Sequence, residues 1–152
     1  MPIGLTVVLG VVAMAIFQGI LWTFIVRVRR RRRADERAAI DAELAASAKR
    51  GERLVCGPTV GRLRRGHGQV NATFALTNER LLIRPGQSEI KLTDVVAVRS
   101  TGSFNSEIRA GWHYVILELG GSEVGLQVRN EESEAWGSAL KNALGSRAAA
   151  ST

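Results

Sequence analysis

Residues 70–95, VNATFALTNERLLIRPGQSEIKLTDV, decide how this chain reads as a fold. Val70, Ala72, Phe74 and Leu76 alternate with Asn71, Thr73 and Ala75, the two-residue period of a half-buried strand. Arg80 to Arg84 is a second, shorter run dense in Leu and Ile, stopped by the turn signal Pro85-Gly86. Thr77-Asn78 lies between the two runs, where a turn residue that tolerates an unusual φ is wanted. Ile90 and Leu92 alternate next, and β-branched residues from Val95 to Val98 follow. Short strands with close turns predict an antiparallel meander.

The same period continues toward the C-terminus. Trp112 to Leu119 is an apolar strand, Gly120-Gly121-Ser122 a turn, and Val124, Leu126 and Val128 the inward positions of a return strand. With an opening strand around Leu54 to Leu63, about seven strands are expected. The pattern then becomes helical. Asn130 suits a helix cap, Glu131 and Glu132 suit its positive first turn, and Trp136, Leu140 and Leu144 repeat every four residues. Gly145 is read as the end of that helix and residues 147–152 as a disordered tail. Trp112, Tyr114 and Trp136 are expected in the core. The polar segment from Thr101 to Gly111 leaves two readings open: a binding loop displaying Phe104, or a tolerated insertion with Phe104 folded back.

Upstream of the strands the chain has a different character. Pro2 to Val26 is an uncharged apolar run of 25 residues, enough at about 1.5 Å per residue to cross a hydrocarbon core of about 30 Å. Arg27, Arg29, Arg30, Arg31, Arg32 and Arg33 end it, and no Lys or Arg precedes it. A cleaved signal peptide wants a basic start, a shorter core and a cleavage site where the arginines stand, so a retained anchor is expected. The arginines then act as the topology signal, leaving the N-terminus outside and the remainder cytoplasmic, with Trp22 at the interface. Ala15, Gly19 and Thr23 share one helix face, a spacing common in membrane helices. Residues 34–50, rich in Ala, Glu and Arg, extend the helix as a stalk until Gly51 breaks it. The organisation expected is a transmembrane helix at 1–26, an Arg-rich juxtamembrane segment and stalk at 27–50, a domain at 51–146 and the tail.

The net charge of +7 divides unevenly. Residues 1–50 hold nine Lys/Arg and four Asp/Glu; residues 51–152 hold twelve and ten. The basicity belongs to the membrane flank, which argues against nucleic acid as a partner and for anionic lipid beside the arginines. Eighteen Arg against three Lys is the usage of a GC-rich bacterial genome. Cys56 is the single cysteine, so no intrachain disulfide forms, as suits a reducing compartment. His67 and His113 are far apart in sequence, no metal-ligand spacing occurs and no catalytic motif is present, so neither enzyme activity nor a cofactor is expected.

Leu76-Thr77-Asn78-Glu79-Arg80-Leu81 resembles the LTNxRL hairpin of bacterial PH-like and GRAM-like domains, and Ile90-Lys91-Leu92-Thr93-Asp94-Val95 resembles the element that follows it there. The resemblance covers about residues 52–146. It implies a pleckstrin-homology-like fold: about seven antiparallel strands in a partly open barrel, capped by the C-terminal helix. Arg62, Arg64, Arg65 and His67 fall on the first strand and the loop after it, where lipid-binding members hold phosphorylated headgroups, but Gln69 to Leu76 lacks the basic partners the family places on the second strand. The implied role is an interaction or scaffold module at the inner membrane, with the bilayer and a membrane or cytoplasmic protein, or a second copy, as partners. The alternative is anionic-headgroup binding through the first-strand loop.

Overall fold

The computed structural model describes residues 3–86 and 88–150. The chain divides into two units, Met1–Asp35 and Glu36–Thr152. A single helix, α1 (Ile3–Ala48), begins in the first and ends in the second.

In the first unit α1 is long and apolar enough to cross a membrane, with a mean hydropathy of 2.2 and no burial over that stretch. Its large side chains are open on every side; Phe17, Ile20 and Trp22 are each about two-thirds exposed. The Thr23 hydroxyl donates to the Gly19 carbonyl one turn back at 2.8 Å, so it is satisfied within its own helix.

Among its described residues the second unit contains nine strands: β1 (Leu54–Arg65), β2 (Gly68–Thr77), β3 (Arg80–Arg84), β4 (Ser88–Lys91), β5 (Val95–Thr101), β6 (Ser103–Phe104), β7 (Glu107–Ile108), β8 (Trp112–Leu119) and β9 (Ser122–Arg129). Seven form one antiparallel sheet in the order β4-β3-β2-β1-β9-β8-β5, and β6-β7 is a separate hairpin. The long strand β1 joins the halves, pairing with β2 along its length and with β9 from Arg62 to Arg65. Gly61 permits the crossing, because a Cβ there would run into the Gln127 carbonyl. The sheet, curled into a partly open barrel and followed by α2 (Asn130–Ala150), has a PH-like fold.

The inner face of the barrel is the core. Ala72, Phe74 and Leu76 of β2, Leu81 and Ile83 of β3, Val115 and Leu117 of β8, and Val124, Leu126 and Val128 of β9 all point there. The α2 residues Trp136 and Leu140 close it. Trp136 meets Phe74 edge-on at 6.3 Å and donates its indole N–H to Thr59 Oγ1 at 3.1 Å, so its polar atom is satisfied inside the core.

Four sequence expectations change, and of the two readings left open for 101–111 the folded-back Phe104 is the one observed. Gly145 does not end α2, which continues to Ala150; residues 151–152 lie outside the described residues. Asn78 has an ordinary φ, and its use is its side chain, whose Oδ1 accepts from the Arg53 N–H at 2.8 Å. Trp112 is only half-buried, because it stands on the outer face with Arg109 over its ring. The segment from Thr101 to Gly111 is the β6-β7 hairpin, and Phe104 is folded back and buried. The C-terminal part of the expected stalk is packed onto the sheet.

That packing uses few apolar atoms. Ile40, fully buried, and Leu44 rest on Ala75 and Leu82, which face outward from β2 and β3. Polar contacts flank them. The Thr73 hydroxyl donates to Glu36 at 2.7 Å, Arg84 pairs with Glu43, and Arg80 reaches Glu43 at 3.0 Å. The helix ends at Ala48 in a turn closed by Gly51 at φ +88°.

Candidate functional site

Alternation along β1 separates the four basic residues that sequence grouped together. Leu63 packs on the barrel interior, so Arg65 shares its side, while Arg62 and Arg64 lie on the outer face. Both Arg64 and Arg65 belong to the strand, and only Gly66 and His67 make the turn into β2. Arg65 and His67 are exposed there.

Arg64 is already engaged. It pairs with Glu107 of the β6-β7 hairpin, and its guanidinium lies 5.9 Å from the centre of the Phe104 ring. Its Nε is buried without a hydrogen-bond partner. Phe104 in turn rests on Tyr114 at 5.8 Å and covers Gly125, where a Cβ would come within 3.0 Å of the ring. Asn105 donates its side-chain N–H to the Gly66 carbonyl at 3.1 Å, tying the hairpin apex to the β1-β2 turn. Asn105 and Ser106 both adopt positive φ, the conformation a two-residue apex demands. Arg62 keeps a hydrogen bond to Asn71 at 3.2 Å. Among the described residues no ion pair engages Arg62, Arg65 or Arg109.

At the open mouth of the barrel, Arg65 and Gly66 border a cleft of about 250 Å³. Its other charged walls are Glu89, Asp94 and Glu123. Three carboxylates to one guanidinium is the wrong balance for a phosphorylated headgroup.

The densest charge cluster escaped the sequence reading. Arg80 grips Glu52 with two bonds, Nε to Oε1 at 2.8 Å and Nη2 to Oε2 at 3.1 Å, and also pairs with Glu89 and Glu43. Glu52 is 4 % exposed and also accepts from the Thr77 hydroxyl at 2.8 Å. The hydrogen bonds from Arg80 dominate and hold the Glu52 carboxyl at about 2, against a desolvation cost that acts the other way. The same contacts push Arg80 upward. The sequence signal was faint: Glu52 and Arg80 are 28 residues apart, and no periodicity links them.

Arg27, Arg29, Arg30, Arg31, Arg32 and Arg33 are exposed on α1, as is Trp22. Cys56 is half-buried, and desolvation raises its thiol above the ordinary value. Among the described residues no three His, Cys, Asp or Glu side chains gather as a metal site would need.

No protein-family model matches the chain. No curated protein matches it either. Solved structures with a similar course include the N-terminal PH domain of Vps36, at 23 % identity and TM-score 0.46 over 62 % of this chain and 83 % of that one. The C-terminal domain of an unknown protein from Leishmania infantum gives 12 % identity and TM-score 0.49 over 69 % and 97 %. Vav1, in complex with an allosteric inhibitor, gives 15 % and 0.47 over 60 % of this chain but only 26 % of the Vav1 chain. The fold assignment rests on the strand order and the capping helix described above.

Proposed function

We propose that this protein is a single-pass membrane-anchored interaction module, whose PH-like domain holds a protein partner or a second copy at the cytoplasmic face of a bacterial inner membrane. The observation that carries the reading is α1. Its N-terminal half presents apolar side chains on all sides, which water does not tolerate over such an area, and the arginine block follows within the same helix. The domain supplies the partner surface. Strands β4 and β5 are free edges of the sheet, and Val96 on β5 is 73 % exposed. An added strand from a partner is the interaction such an edge favours. The domain boundaries are proposed as 1–26 for the span, 27–35 for the basic flank and 36–150 for the domain with its docked helix.

The alternative, anionic-headgroup binding by the β1-β2 turn, draws on Arg65 and His67. It is the weaker reading, since Arg64 is neutralised by Glu107 and the nearby cleft is acidic.

Fractionation and topology test the proposal together. The full chain should sediment with membranes and resist alkaline extraction, and a reporter fused after Thr152 should be active only in the cytoplasm. Recovery in the soluble fraction, or periplasmic reporter activity, overturns it. Photo-crosslinking from position 96 should trap a discrete partner band, and absence of any band counts against the β5 edge as the partner surface.

A further inference from the structure

We infer that the β6-β7 hairpin is a lipid-contact site, which lays Ile108 and the Arg109–Trp112 pair against the anionic surface of the bilayer. The inference rests on the membrane-anchored reading above but uses different residues. Ile108 is 80 % exposed, more open than any large apolar side chain described on α1 from Val8 onward. It is displayed by rigid geometry. Alternation turns Phe104 and Glu107 inward, onto Tyr114 and Arg64 respectively, and leaves Ile108 outward. The hairpin is therefore pinned at its apex end, through the Phe104–Glu107 rung and the Asn105 side chain, and Ile108 on the next rung is turned outward.

The chemistry around Ile108 suits a headgroup layer. Arg109 follows it directly and lies 5.3 Å over the Trp112 ring, an indole–guanidinium pair of the type that settles at the water–lipid interface. Arg62 projects from the same outer face and has no acid partner among the described residues. The only acid on the hairpin, Glu107, is consumed by Arg64. One isoleucine and two arginines bind a bilayer weakly in isolation. A domain tethered to that bilayer meets it at the high effective concentration of an intramolecular contact, so a weak site is enough to bias which face turns to the lipid. This site is separate from the acidic barrel mouth, where a headgroup-binding domain of this fold class was expected to act.

The test uses the full chain with Trp22→Phe, reconstituted in nanodiscs of phosphatidylcholine and phosphatidylglycerol with brominated acyl chains. Two indoles then remain: Trp112, and Trp136, which is 1 % exposed and gives the unquenched baseline. Trp112 emission should fall by roughly half relative to unbrominated discs, the depth expected of a residue at the headgroup boundary. Ile108→Glu and Arg109→Gln should each restore it, with unchanged melting temperature since both side chains lie off the core. At about 1 M salt, where screening acts within about 3 Å, the phosphatidylglycerol-dependent part should vanish. Unquenched Trp112 in discs where wild-type Trp22 is quenched overturns the inference while leaving the anchor intact. Quenching that survives Ile108→Glu overturns it as well. Unquenched Trp22 would instead condemn the anchor itself. A hairpin that stays dry and crosslinks from position 108 to a protein would make this a protein-docking face and refute lipid contact.

Discussion

Two covers lie on the outer face of this sheet, and they solve one problem by different means. Over β2 and β3, the last turns of α1 shield Ala75 and Leu82 with Ile40 and Leu44. Over β8 and β9, the β6-β7 hairpin shields Tyr114, Ile116 and Gly125 with Phe104. Each cover is clamped by an arginine of the sheet to a glutamate of the cover, Arg84 to Glu43 in one and Arg64 to Glu107 in the other. The difference is in what surrounds the clamp. Beside the helix, Arg80 adds Glu43, Glu52 and Glu89. Beside the hairpin the clamp stands alone, with an orphaned Arg64 Nε. The comparison teaches that the helix is an integral part of the domain, whereas the hairpin is a surface strap held by one aromatic ring, one ion pair and the Asn105–Gly66 hydrogen bond.

Breaking the helix side should cost most. Arg80→Ala leaves Glu52 buried without its partner and is expected to destabilise the domain by about 3–5 kcal/mol in chemical denaturation. The same pair gives an acid signature. Glu52 is held at about 2, below the ordinary 4.5, so the unfolded chain takes up the proton first as pH falls. Stability should be full above about pH 5.5 and decline toward pH 2, by about 3 kcal/mol in all, and the decline should be much reduced in Glu52→Gln. A flat profile in the wild type would mean that the pair is not formed.

On the hairpin side, Phe104→Ala should cost about 2–3 kcal/mol, since the ring packs under a thin cover rather than in a deep core. Hydrogen exchange should show where: amides of residues 103–108 should lose protection while those of β2 and β3 keep theirs. Ile40→Ala is the matching change under the helix, expected at about 2 kcal/mol with protection lost in residues 40–48. If it instead unfolds the whole domain, the helix is more integral than the ion-pair count implies. The smallest effect belongs to Glu107→Gln, under about 1 kcal/mol, because the pair it breaks is partly exposed. An effect as large as that of Arg80→Ala would erase the contrast between the covers.

Much of the fold could be read along the chain because its signals are local. The alternation of Val70 to Leu76, the Gly120-Gly121-Ser122 turn and the Trp136–Leu140 spacing each concern residues within a few positions of one another, and each produced its element. The covers could not be read that way. Ile40 and Leu44 are too thin a stripe to announce a packed helix, and their seat lies more than thirty residues downstream. Phe104 in a polar segment fitted an exposed loop as well as a buried anchor, and only the bare backbone of Gly125 beneath it decides the matter. The basic cluster failed for a geometric reason. Arg62, Arg64 and Arg65 on one strand face two ways, His67 lies in the turn beyond it, and Glu107, 43 residues from Arg64, neutralises one of them.

By itself, the sequence determined the long apolar helix with its arginine stop, the strand periods and the capping helix, because hydropathy and turn chemistry act between near neighbours. Only the tertiary structure decided which charges remain free. Arg64, Arg80 and Arg84 are spent on holding covers in place, while Arg62, Arg65 and Arg109 form no ion pair among the described residues. That division depends on which strands meet across the curled sheet, and pairing at such distances along the chain is settled by packing, not by local pattern.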